Sequence, residues 1–107
     1  MFSIEYYNEA VQRDILALPA PLLARYAGLT RRMTIDGPNL AEPHTKAFGD
    51  GLFELRLKAT NGIARVFYCT LVGRRIVMLH GSVKKTQTTP VRHRRLAEIR
   101  MRNVKKC

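Results

Sequence analysis

"LFELRLKATNGIARVFYCTLVGRRIVMLHGSVKK", residues 52–85, reads as three strands in succession. In the first, Phe53, Leu55 and Leu57 alternate with Glu54, Arg56 and Lys58, the period-two pattern of a strand with one buried face. Asn61-Gly62 predicts the hairpin turn, because both residue types accept positive φ. "ARVFYCTLV" is the second strand, Gly73 turns the chain, and "RRIVMLHGS" is the third.

Upstream, "FSIEYY" has the aromatic and β-branched content of a short strand. "NEAVQRDILALP" predicts a helix capped by Asn8, with Val11, Ile15, Leu16 and Leu18 at near-helical spacing before Pro19. "APLLARYAGLTRRMTIDGP" predicts a second, with Leu22, Leu23, Tyr26, Leu29 and Met33 largely on one face and Gly37-Pro38 ending it. "NLAEPHTKAFGDG" reads as a connection, with room for a short strand around Thr45 to Phe48. Downstream, "VRHRRLAEIRMRN" predicts a terminal helix with Leu96, Ile99 and Val104 toward the domain and arginine nearly everywhere else.

The order is β-α-α-β-β-β with a basic C-terminal helix. It predicts an α+β domain, with the helices packed on one face of an antiparallel sheet. At 107 residues the chain suffices for one domain, residues 1–107, and not for two. Hydrophobic residues make up 46% of it, enough for a core, yet no apolar run approaches the roughly 20 residues that span a bilayer. The first residues lack the basic-then-apolar pattern of a signal peptide. Cys69 and Cys107 form no disulfide or metal-ligand spacing, so a reducing cytoplasm is expected.

Charge is more telling. The net charge is +11, but residues 1–55 hold five basic side chains against seven acids, whereas residues 56–107 hold fourteen against Glu98 alone. Ordinary solvated surfaces mix signs. This half favours a polyanion: RNA, DNA or an acidic protein. Alternation puts Arg56 and Lys58 on the face away from the helices, Arg65 near them across the hairpin, and Lys84 and Lys85 at the last strand's end.

Such cations suit RNA cleavage without a metal. A base frees the 2′-oxygen to attack the neighbouring phosphorus, cations stabilise the phosphorane, and an acid protonates the departing 5′-oxygen. Crowded cations lower a lysine's pKa, and arginine's fixed fork suits dispersed negative charge. The plainer reading is that Lys84 and Lys85 are a solvated strand end. His80 follows Ile76, Val77, Met78 and Leu79, so a hydrogen-bonded structural histidine is favoured over a catalytic one. Tyr68 reads as core, or as a base-stacking surface if its face is open. His44 and His93 stand in polar contexts. No His, Cys or carboxylate spacing resembles a metal site.

"GLFELRLKATNGIARVFYCTLVGRRIVMLHGSVKKTQTTP", residues 51–90, resembles the phage-related HigB-like toxins of the RelE/ParE superfamily. The shared pattern is a G-L-x-E-L-R strand, R-V-x-Y, and a strand ending L-H-G-x-x-K-K-T-x-x-T-P. The resemblance implies a RelE-like fold and the toxin of a type II toxin–antitoxin pair, a ribosome-dependent mRNA endoribonuclease needing no metal or cofactor. It implies the ribosome, mRNA and a helix-turn-helix, HigA-like antitoxin as partners. Carried over by motif, Arg65 and Lys85 stabilise transition-state charge. Arg56 or Lys84 positions RNA or moves a proton. Lys58 and the tail arginines Arg92, Arg94, Arg95, Arg100 and Arg102 are expected to bind RNA or the ribosome. RelE itself carries a catalytic tyrosine after its last strand, but residues 86–107 contain none, which leaves the general acid unassigned. The alternatives are a non-catalytic nucleic-acid-binding protein and a ParE-like gyrase inhibitor; the K-K-T-x-x-T-P run favours the HigB-like branch over the latter.

Overall fold

The computed structural model describes residues 1–60, 62–84 and 90–106, with Lys84 by its backbone alone. The expected turn residue Asn61 and the expected site residue Lys85 lie outside the described residues. Gly62 is the first residue of a strand, paired with Ala59.

β1 (Ser3–Tyr6) leads to Asn8, whose Oδ1 accepts the Val11 N–H at 2.8 Å and caps α1 (Glu9–Leu16). α1 buries Val11 and Ile15. Pro19, in extended backbone, introduces α2 (Ala20–Asp36), which turns Leu22, Tyr26, Leu29, Thr30 and Met33 inward. The Thr30 hydroxyl satisfies itself within the helix, donating to the Tyr26 carbonyl at 2.8 Å. At φ +100°, Gly37 ends the helix and donates its N–H to the Met33 carbonyl at 2.9 Å.

Four strands follow: β2 (Thr45–Gly49), β3 (Leu52–Ala59), β4 (Gly62–Leu71) and β5 (Arg75–Lys84). The sheet runs β1-β5-β4-β3-β2. The meander is antiparallel as expected, whereas β1 joins β5 in parallel, Ser3 opposite Arg75. α1 and α2 cover one face, packing Val11, Ile15, Leu22 and Met33 against Leu55, Val66, Tyr68 and Met78. Gly81 lets α1 approach closely: a Cβ there would lie 2.8 Å from Ile15 Cγ1.

The other face is not left open along its whole length. α3 (Val91–Lys105) lies across one half of it and packs Ala97 and Met101 against Leu52, Phe67, Cys69, Val77 and Leu79. α1 and α2 share one face as expected, α3 takes half of the face expected to be free, and Val104 turns inward as expected whereas Ile99 does not. Ile99 is 47% exposed, and the helix docks through Ala97, Met101 and the expected Val104, an i, i+4, i+7 stripe. Polar contacts secure it. In the β4–β5 ladder Phe67 pairs with His80 but Tyr68 pairs with Met78, so Leu79 is an extra, bulged residue. Arg100 donates to its carbonyl at 2.7 Å and lies over the Tyr7 ring at 5.1 Å. Asn103 donates to the Tyr7 hydroxyl at 3.0 Å, and Lys105 donates to the Asp50 carbonyl. Beneath the helix, burial pushes the Cys69 thiol up to about 11. No helix among the described residues is long and apolar enough to cross a membrane.

Candidate nucleic-acid interface

Toward the N-terminal end of α3, strand register sets out three rows across β3, β4 and β5. Glu54 pairs with Phe67, and Phe67 with His80. In the next row Arg56 pairs with Arg65, and Arg65 with Ser82. In the last, Lys58 pairs with Ile63, and Ile63 with the backbone of Lys84. Directly opposed residues share a face, so Arg56, Lys58 and Arg65 converge as the alternation predicts.

Two arginines placed opposite one another repel. The buried carboxylate of Glu54, 1% exposed, offsets this: Arg56 Nε lies 3.3 Å from one of its oxygens and Arg65 Nη1 3.5 Å from the other. Arg56 also reaches Glu42 at 3.2 Å. Arg65 is only 7% exposed, so its guanidinium is held rigidly in the sheet face, while Arg56 keeps a third of its side chain in solvent.

β2 accompanies β3 only as far as Leu55 opposite Thr45. Past that point the Arg56 N–H donates to the His44 carbonyl at 2.8 Å, and the edge of β3 opens. A cleft of about 370 Å³ lies there, lined by Arg25 of α2, by His44, and by Arg56, Lys58, Ile63 and Arg65. Four cations against Glu54 and Glu42 leave the cleft positive. The local sequence gave no signal for Arg25 or His44, which tertiary packing brings in from α2 and the loop before β2. A larger groove, about 950 Å³, lies between β1 and the end of α3, but its Arg75 is held by Glu5 at 2.8 Å. Hydrogen bonding from Arg75 keeps the Glu5 carboxyl below the usual carboxylate range. The smaller cleft is therefore the better anion site.

His80 and His93 meet where these rows run into α3. Nε2 of His80 lies 2.7 Å from Nδ1 of His93, and the rings stack with centroids 4.9 Å apart. The expectation of a hydrogen-bonded His80 holds; its partner His93 was not foreseen. Tyr68 is fully buried, stacked on Phe53 and donating to the Pro38 carbonyl. Burial pushes its phenol well above the usual range, and it offers no face to a base. Among the described residues, no three His, Cys, Asp or Glu side chains cluster as metal ligands.

The tail arginines divide. Arg92, Arg95 and Arg102 are exposed and, with Lys106, share the helix face opposite Ala97 and Met101. Arg94 lies over the Phe48 ring at 4.4 Å and near Glu98 at 3.6 Å. Arg100 is turned inward onto Leu79 and Tyr7, away from any ligand on the outer face.

In comparisons with known proteins, the family model described as "Phage derived protein Gp49-like (DUF891)" matches residues 13–102. None of the curated proteins matches the chain.

Proposed function

The chain belongs to the Gp49-like phage-derived protein family, a family of RelE/HigB-like toxin type, and from that premise we propose that it is the toxin of a type II toxin–antitoxin pair that cuts mRNA on the ribosome. The observation that carries this reading is the cross-strand Arg56–Arg65 pair, set beside a positive cleft at the edge of β3. A phosphodiester entering there meets two guanidinium forks on a rigid backbone. Their charge is placed before the reaction begins, which is what stabilises a developing phosphorane. Lys58 extends the positive surface along the RNA, and the roles of Lys84 and Lys85 are those the sequence resemblance implies. No step in this scheme uses a metal or cofactor.

Arg92, Arg95 and Arg102 supply affinity for ribosomal RNA, since phosphate contacts position a protein without reading sequence. A helix-turn-helix, HigA-like antitoxin with an acidic segment is the expected neutralising partner. Cytoplasmic action follows from these partners.

The test is induction in bacteria lacking the antitoxin. Pulse labelling should show protein synthesis failing before DNA synthesis, and primer extension should show breaks in translated mRNA with EDTA-treated protein. DNA synthesis failing first, with gyrase trapped on DNA, would establish a ParE-like gyrase inhibitor instead. Tight ribosome binding with intact mRNA would establish a non-catalytic binder.

A further inference from the structure

The mechanism above lacks a proton donor for the leaving oxygen. The sheet offers a proton-carrying pair next to the arginines. His80 stands opposite Phe67, one row from Arg65 and Ser82. Successive same-face residues on a strand are about 7 Å apart. A phosphate held by the arginine row therefore has its flanking ribose oxygens toward the histidine row or toward Lys58.

We propose that the hydrogen-bonded pair His80–His93 is the general acid of the cleavage reaction, an inference that rests on the mRNA-cutting reading. At 2.7 Å the two facing nitrogens must differ, one donating and the other accepting. With one added proton the pair is a single shared cation whose outer nitrogens, His80 Nδ1 and His93 Nε2, both carry hydrogen. Both side chains are partly exposed. Among the described residues the elements packed around the pair carry Glu54, Arg56 and Lys58 on β3, Arg65 on β4, Arg75 and Lys84 on β5, and Arg92, Arg94, Arg95, Glu98, Arg100, Arg102 and Lys105 on α3.

The step balances. The 2′-hydroxyl gives its proton to a water or amine base, the bond from the 2′-oxygen to phosphorus forms, and the bond from phosphorus to the 5′-oxygen breaks. The imidazolium passes its proton to that 5′-oxygen. The products are a 2′,3′-cyclic phosphate and a 5′-hydroxyl. The neutral pair regains its proton from solvent.

A purely structural pair would merely tie β5 to α3, so the experiment separates the two roles. His80→Gln and His93→Asn each put an amide where the bonded ring nitrogen stood, keeping the link but removing the titration. Each is measured in single turnover on programmed ribosomes, on ordinary mRNA and on mRNA whose scissile 5′-oxygen is replaced by sulfur. A thiolate leaves without a proton. At least one variant should lose about 10²–10⁴-fold on the oxygen ester and cut the sulfur ester at the wild-type rate. Equal losses on both substrates make the pair a structural clamp, and no loss on either removes it from the reaction; both overturn the inference. If the wild-type protein cuts while both variants are unimpaired, only this inference falls. If the wild-type protein leaves ribosome-bound mRNA intact, the functional reading itself falls and takes this one with it.

Discussion

Arg56 and Arg65 stand directly opposite each other on neighbouring strands, and one buried carboxylate, that of Glu54, lies 3.3 Å from the first and 3.5 Å from the second. The site's charge and the sheet's stability thus meet in a single acid. Glu54→Gln removes the counter-charge shared by both guanidiniums. Breaking a buried pair from one side costs about 3–5 kcal/mol. Urea unfolding should show a lower midpoint with an unchanged slope. Combining Glu54→Leu with Arg65→Met should cost less than the sum of the single changes, because no buried charge remains to be offset.

Catalysis and affinity should separate. Arg56→Gln and Lys85→Ala should each lower single-turnover cleavage at saturating ribosomes by about 10²–10³-fold, the usual effect of losing one charge-stabilising donor. Circular dichroism should show the fold retained. If Lys85→Ala cuts at the wild-type rate, Lys84 and Lys85 are no more than a solvated strand end.

Arg100 and Arg102 are two residues apart and should behave oppositely. Arg100→Gln loses a hydrogen bond to the bulged Leu79 carbonyl and the contact over Tyr7. About 1–3 kcal/mol of α3 docking should disappear, seen as faster hydrogen exchange along α3. Arg102→Gln should leave exchange unchanged and reduce the salt dependence of ribosome binding by about one phosphate contact, roughly 0.7–0.9 in log–log slope.

Gly81→Ala tests how closely α1 sits on the sheet. The new methyl would lie 2.8 Å from Cγ1 of the fully buried Ile15. Overpacking of this kind costs about 1–3 kcal/mol. Ile15→Ala in the same chain should recover part of that loss, and thermal melting of the single and double variants measures the coupling.

The strands and the first two helices were legible because each carries its own period: Leu55 and Leu57 alternate with Arg56 and Lys58, and Leu22, Tyr26, Leu29 and Met33 recur along one helix face. The convergence of Arg56 with Arg65 followed from a hairpin whose register the hydrophobic alternation sets. The docking face of α3 did not follow. Large side chains at Leu96 and Ile99 outweighed the smaller Ala97, which fits closely under the helix. Arg25 and His44 reach the cleft through packing between distant segments, which no local pattern encodes. Arg100 read as one more surface cation because its acceptor exists only where Leu79 bulges from the ladder. Glu54 read as an outward residue, since alternation gives its direction but not the two guanidiniums that make its burial tolerable.

The parallel pairing of β1 with β5 governs when this protein can exist during its own synthesis. Ser3 leaves the ribosome well before its strand partner Arg75, which is made only after α1, α2 and three further strands. Until β5 is released, β1 has no neighbour on which to form its ladder, and Gly81 is not there to receive α1. Closing so long a loop is an entropic cost met late, and it slows folding. α3 emerges after β5 and covers the half of the sheet that holds Phe67 and Cys69. A chain halted before β5 carries Arg56 and Arg65 but lacks the third strand of every row, so the cationic surface is incomplete while the polypeptide is being made.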